Sequence, residues 1–265
     1  MANASIHIGV GKVDPEQYRP VVLDPLIGPK GDREYMATLA RRIAGVDSPV
    51  VLPGDVKWDA VRHEVLSAAA SMTDGLCIIS FSGHGTPSAN GSQQGWCLRD
   101  RILTRSELLE WISTFQSGVR VLVVADCCYA APQGGLFGFL MRRLGLDQRA
   151  AVVKCVPRKY WGLISKSRAG AATRRAFAVR SESVSRCALL WFAACAEEEK
   201  TRDGNPRSVF TSKLEAYCRR RVDWTYEELC GVIAYALTNI QKPSCRLVAT
   251  GTPAIQWGTA SKVFR

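Results

Sequence analysis

No stretch of the sequence reaches the roughly 18 consecutive apolar residues that a membrane-spanning helix needs. The longest apolar runs, Val119–Ala125 and 188–196, stop at Asp126 and Glu197. The first residues, Met1 to Ser5, carry no basic group ahead of an apolar stretch, so no secretory signal is expected. There is no C-x-x-C pair, which argues against a zinc site of the common spacing. The run Gly9-Val10-Gly11-Lys12 lacks a third glycine, and Val13-Asp14-Pro15 breaks any helix there, so a nucleotide-binding loop is a poor reading. Histidine is scarce, with only His7, His63 and His84. No internal repeat is visible.

What is present is an ordinary globular composition. The 265 residues are 47% hydrophobic and 22% charged, enough to build a core without metal or disulfide staples. Ten cysteines lie mostly inside apolar runs rather than in loops, as buried, reduced thiols of a cytoplasmic protein would. The net charge of +11 is uneven. Between Ala151 and Arg186 there are nine basic residues, Lys154 first among them, and a single acid, Glu182. A basic balance can mean nucleic acid or an anionic surface, but the excess here belongs to one segment. That segment has few large aromatics for base stacking (Tyr160, Trp161 and Phe177), so nucleic acid is an unfavoured partner.

Periodicity predicts strands at Ser5–Val10, Pro49–Leu52, Gly75–Phe81, Val119–Ala125, Cys187–Cys195 and Arg246–Thr250. It predicts helices from about Asp32 to Ile43, Lys57–Ser71, from a Thr104 cap to Phe115, Val209–Arg221 and Thr225–Asn239, with a short one at Leu136–Leu144. Pro, Asp and Gly make Lys12–Gly31 a loop, and Pro87–Gly95 reads as another. Continuous apolar strands alternating with helices imply an α/β fold, a mostly parallel sheet covered on both faces.

Ligands of such sheets sit beyond the carboxyl ends of the strands. Two strands end in reactive residues: Gly75–Phe81 runs to His84, and Val119–Ala125 runs to Cys127 and Cys128. An imidazole that removes a thiol proton and a thiolate that attacks a carbonyl make a nucleophilic pair. Successive strand side chains point opposite ways, so only one of the two cysteines can face the histidine.

The blocks Ser80-Phe81-Ser82-Gly83-His84-Gly85 and Asp126-Cys127-Cys128-Tyr129-Ala130 resemble those of caspase-like cysteine peptidases, metacaspases and their bacterial relatives above all. His84 and Cys128 are 44 residues apart, against about 50 in the caspase signature. Weaker similarities run along the chain at Leu26–Asp32, Phe192–Glu197, Val209–Leu214 and Gln241–Pro243. The resemblance implies a caspase-like fold with a central sheet of about six strands. It implies one peptidase domain over residues 1–265, made of a large-subunit-like part to about 150, a basic connector 151–186 and a small-subunit-like part 187–265. It assigns Cys128 as nucleophile, His84 as base, and the Gly85 and Cys128 amides as oxyanion donors. Asp32, Ser82 and Asp126 match a pocket that takes Arg or Lys before the scissile bond.

Simpler roles remain open at this point: a helix N-cap for Asp32, a turn cap for Asp126, a loop hydrogen bond for Ser82. Tyr129, Ala130 and Pro29 depart from the family pattern. Leu103–Glu107 reads Leu-Thr-Arg-Ser-Glu where calcium-dependent metacaspases carry paired aspartates, so no metal and no cofactor is expected. The resemblance implies hydrolysis of protein substrates, in regulated cell death or defence, and the expectation from the basic residues is self-processing in the connector between about Lys154 and Arg186. The alternative is an inactive caspase-like module that binds a partner or nucleic acid through its basic segment.

Overall fold

The structure, a computed structural model, describes residues 3–86, 95–128, 153–164, 166–171, 186–195, 201–238, 240–250 and 261–263. The strands in chain order are β1 (Ala4–Gly9), β2 (Val50–Val51), β3 (Asp74–Ser82), β4 (Gly85–Thr86), β5 (Gly95–Cys97), β6 (Ile102–Thr104), β7 (Gly118–Asp126), β8 (Ala188–Ala193) and β9 (Ser244–Thr250). Six of them form one sheet in the order β2-β1-β3-β7-β8-β9. All neighbours are parallel except β8 and β9. The expected six-stranded, mostly parallel α/β sheet is therefore present. The strand bounds move by a residue or two, and β9 starts at Ser244 rather than Arg246.

The helices in chain order are α1 (Pro15–Tyr18), α2 (Gly28–Ala44), α3 (Trp58–Ser71), α4 (Arg105–Ile112), α5 (Trp161–Ile164), α6 (Val209–Arg220) and α7 (Tyr226–Ala236). The pleat decides which face each strand residue serves. Val119, Val121, Val123, Ala125 and Cys127 join the core beneath α3 and α4. Leu122 and Val124 join the core beneath α2, α6 and α7. Burying each such aliphatic side chain is worth about 1.5–3 kcal/mol, and the middle strands are buried on both sides. That is why they read as continuous apolar runs.

Two details differ from the sequence reading. Helix α2 begins at Gly28, so Asp32 lies inside the helix and is not its N-cap. Pro29 occupies the first turn, where its fixed φ suits a helix start and its missing N–H costs nothing. The Asp203 carboxylate, 175 residues away, accepts from the Ile27 and Gly28 amides at 2.7 and 3.0 Å. Gly95–Cys97 and Ile102–Thr104, where no strand was predicted, form with β4 a small antiparallel sheet beside the carboxyl end of β3. Strands of two or three residues carry too short a pattern to stand out. The predicted helix at 136–144 lies outside the described residues.

Candidate active site

Ser82 and Asp126 are register partners at the last step of β3 and β7. Each strand then runs two residues further, to His84 and to Cys128. The two ends approach closely: a Cβ on Gly85 would sit 2.0 Å from the Cys128 carbonyl oxygen, so only glycine fits. Cys127 turns to the α3/α4 face, where it is buried in the core and its carbonyl accepts from the Cys195 thiol. Cys128 lies apart from that core, with Cys155 and the Thr201 backbone around it.

Asp32, Ser82 and Asp126 do converge, on the α2/α6 side of the sheet. The Ser82 hydroxyl donates to Asp32 Oδ2 at 2.6 Å, and Asp32 Oδ1 accepts from the Ser208 amide at 2.9 Å. Asp126 accepts from the Thr211 hydroxyl at 2.8 Å and from the Ser208 hydroxyl. Ser208 is also the N-cap of α6, so the helix start and the acidic cluster are one construction.

The centre of this cluster is occupied by Lys154, which is fully buried. Its Nζ lies 2.9 Å from Asp32 Oδ2, 2.7 Å from the Ser82 hydroxyl and 3.3 Å from Asp126 Oδ1. Burial alone would pull the lysine down, but Asp126 and Asp32 more than offset it and the ammonium is held charged. Asp126 itself is raised: burial is the main cause and Asp32 adds to it, with Lys154 opposing. The basic segment was read as a connector between two sheet-forming parts, yet its first lysine is among the most deeply buried residues of the chain.

The backbone around Lys154 is held as firmly. Its carbonyl oxygen accepts from the Gly85 amide at 2.9 Å and the Cys128 amide at 3.1 Å. Its own amide donates to the Thr201 carbonyl, and the Val156 amide donates to the Gly85 carbonyl, both at 3.0 Å. Bridges Val153–Arg202 and Gly85–Cys155 extend the pattern on each side. Residues 153–156 therefore lie as an added strand across the ends of β3 and β7. Val156, Ile164 and Ala169 anchor the following chain against Tyr18, Val21, Cys97 and Ile102.

His84 is buried, and its Nε2 lies 2.7 Å from the Asp24 carbonyl oxygen. A carbonyl only accepts, so Nε2 carries the proton and Nδ1 holds the lone pair. Nδ1 is buried with no hydrogen-bond partner among the described residues. Burial lowers the His84 pKa, the Asp24 carbonyl opposes this, and Lys154 lowers it further. Burial pushes the Cys128 thiol well up, and Cys155 adds to it. The Thr201 amide donates to the Cys128 sulfur at 3.1 Å. The other two histidines stand elsewhere: His7 is buried between Ser5 and Ser80, and His63 is exposed on α3.

Leu103–Glu107, read as lacking calcium ligands, starts α4. The Glu107 carboxylate accepts from the Thr104 amide at 2.9 Å and hydroxyl at 2.8 Å in a capping box, and pairs with Arg101. Among the described residues no group of three or more His, Cys, Asp or Glu is placed to hold a metal ion, and no helix is long and apolar enough to cross a membrane.

The sequence reading missed Lys154 as a site residue, the Asp24 carbonyl, Thr201, Ser208, Thr211 and Gln241. Gln241 donates to the Ala194 carbonyl at 2.9 Å and accepts from the Arg202 amide at 3.4 Å, tying the Thr201–Arg202 strand to the end of β8. The signal for Thr211 and Gln241 was present in the C-terminal family similarities, and Ser208 stands one residue before the first of them. A backbone carbonyl such as Asp24's leaves no trace in residue type.

A caspase-domain model of the C14 peptidase family matches residues 13–248. The chain belongs to the caspase-domain family. Its fold is shared with protein GSU0716 of Geobacter sulfurreducens, at 21% identity and a TM-score of 0.80 over 100% of this chain and 98% of that one. Caspase-1 of Spodoptera frugiperda matches at 11% identity and a TM-score of 0.57, over 99% and 90% of the two chains. The structure described as pro-sf-caspase-1 matches at 12% and 0.54, over 94% and 88%. No curated protein matches the chain. The caspase-domain family is one of cysteine peptidases, whose substrates are proteins.

Proposed function

We propose that the chain is a cysteine endopeptidase that cleaves after Lys or Arg, with Cys128 as nucleophile and His84 as base, and that its own Lys154–Cys155 bond is its first substrate. The observation that carries this reading is the placement of Lys154: side chain between Asp32 and Asp126, carbonyl oxygen on the Gly85 and Cys128 amides. A substrate carbonyl held by two amide donors is placed for attack, because those donors stabilise the oxyanion that develops.

In this mechanism His84 Nδ1 takes the Cys128 proton, and the thiolate attacks the Lys154 carbonyl carbon. Negative charge collects on the oxygen held by the Gly85 and Cys128 amides. The bond to Cys155 nitrogen breaks as His84 returns the proton to the leaving amine. A thioester remains, which water hydrolyses with His84 as base. The Asp24 carbonyl keeps the ring in the tautomer this requires. The two carboxylates favour a basic side chain before the scissile bond and oppose an acidic one.

Cleavage after Lys154 divides the chain into residues 1–154 and 155–265. The pairing of β7 with β8, six residue pairs from Arg120–Ala188 to Ala125–Ala193, holds the two pieces in one sheet. Residues 172–185 of the interval expected for the cut lie outside the described residues; Lys154 falls at the start of that interval.

The test is intact-mass spectrometry of purified wild type and Cys128→Ala, with a peptide panel that varies only the residue before the scissile bond. Wild type is expected to yield a fragment ending at Lys154 and one starting at Cys155 that co-elute under native conditions, and to prefer Arg and Lys peptides. Cys128→Ala stays whole. Cleavage that persists in Cys128→Ala, or a preference for Asp peptides, overturns the assignment.

A further inference from the structure

The same segment that brings Lys154 into the acidic pocket brings a second thiol against the nucleophile. Cys128 and Cys155 form a buried cluster of their own, flanked by Val153 and Trp161. The Cys155 side chain packs against Cys128 in this cluster, and its nearness is one of the causes that raise the Cys128 thiol. The backbones on both sides are pinned: Cys128 donates to the Lys154 carbonyl, and Gly85 pairs with Cys155. The adjacent Cys127 faces the opposite core, so its sulfur does not compete for this position. All ten cysteines are thiols in this state. The hydrolytic reading uses Cys128 and the peptide bond of Cys155 but gives the Cys155 sulfur no task.

We propose that Cys128 and Cys155 close into a reversible disulfide in the presence of a hydroperoxide, which fastens the Lys154 segment in the pocket and removes the attacking sulfur in one event. This rests on the reading of Cys128 as nucleophile. The chemistry balances in two steps. The Cys128 thiol gives up its proton and its sulfur attacks one peroxide oxygen; the O–O bond breaks, and the products are Cys128 sulfenic acid and the alcohol of the hydroperoxide, which is water where the oxidant is hydrogen peroxide. The Cys155 sulfur then attacks the sulfenic sulfur, the S–O bond breaks, and the hydroxyl leaves with the Cys155 proton as water. Two electrons pass from the two thiols to the peroxide. A dithiol reverses the reaction by exchange. Burial, which raises the Cys128 thiol, makes the first step slow in the closed state. The latch therefore responds to sustained rather than brief oxidation.

The experiment uses the full chain with His84→Ala, which on the proposed mechanism keeps the Lys154–Cys155 bond whole. After hydrogen peroxide, alkylation and digestion without reductant, peptide mapping is expected to find Cys128 joined to Cys155. Dithiothreitol should remove that link, and adding Cys155→Ser should prevent it. In wild type the same treatment should stop the appearance of the Lys154 terminus, and dithiothreitol should restore it. In Cys155→Ser, peroxide is expected to inactivate without rescue, because Cys128 then proceeds to sulfinic acid. Recovery of Cys128 as sulfinic acid in the His84→Ala chain, joined to any other cysteine, or unmodified, overturns the latch. A link in a wild type that cleaves nothing defeats the peptidase reading alone; cleavage without a link defeats the latch alone.

Discussion

Two polar clusters are buried on the same face of the sheet, and they are built in opposite ways. In the first, His7 on β1 sits between the hydroxyls of Ser5 and Ser80 at 2.9 and 2.8 Å, and every member comes from β1 or β3. It is neutral: burial is the main cause, with Arg41 adding, and the imidazole is held down at about 3. In the second, Asp32, Ser82 and Asp126 gather two carboxylates at the carboxyl ends of the strands. The compensating charge comes from Lys154, 122 residues beyond Asp32 in the chain. A structural polar cluster satisfies itself from its own strands. A cluster that needs a cation delivered from elsewhere is built like a receptor, and that contrast is why Lys154 is read as a bound ligand rather than as core.

Replacing the delivered cation should have the largest effect. Lys154→Met in a Cys128→Ala background leaves two carboxylates buried without their partner, and losing one side of a buried pair costs about 3–5 kcal/mol. Denaturant titration measures it. The loss should grow with pH, because Asp126, already raised, is then more costly to ionise in the folded state than in the unfolded one. A cost near zero would mean that water replaces the lysine freely and that the pocket is open.

The neutral cluster should respond to acid instead. The unfolded chain binds a proton at His7 near the usual 6.5 and the folded chain only near 3. Stability should therefore fall as pH drops below 6.5, by about 1.4 kcal/mol per unit from this group, until about pH 3. His7→Gln should flatten that part of the stability curve, measured by denaturant midpoints across the range.

Self-cleavage should rise with pH through neutrality, because the Cys128 thiol is raised by its burial. Below that pKa the thiolate fraction grows about tenfold per pH unit, equivalent to roughly 1.4 kcal/mol. Appearance of the Lys154 terminus after a pH jump follows it. A rate that declines above neutral pH would place the nucleophile elsewhere. Ser208→Ala, which loses the α6 cap and one bond to Asp126, is expected to cost about 1–2 kcal/mol. Its thermal midpoint should fall while His7→Gln at neutral pH stays near wild type.

Much of this was legible from the residues. The central strands are apolar on both faces, so β3, β7 and β8 stood out, and the reactive residues follow directly from the strand ends. Asp32, Ser82 and Asp126 were found through family similarity and do meet in space. What stayed hidden has physical causes. Asp203 caps α2 from the far side of the chain, so local pattern could not show that the helix starts at Gly28. Strands β4 to β6 are two or three residues long. Lys154 stood in a run of basic residues that looks like an exposed connector, because charge density does not tell which single lysine is taken inside.

One consequence of the covalent tether on Lys154 concerns kinetics in mixtures. A ligand joined to its own receptor in one chain binds intramolecularly, at an effective concentration that a free competitor must exceed. A basic peptide supplied at micromolar levels meets a site already taken by an intramolecular competitor. Progress curves with such a peptide should then begin with a lag and accelerate as the resident segment is cut and departs, and the length of the lag should not depend on enzyme concentration if the first cut occurs within one chain.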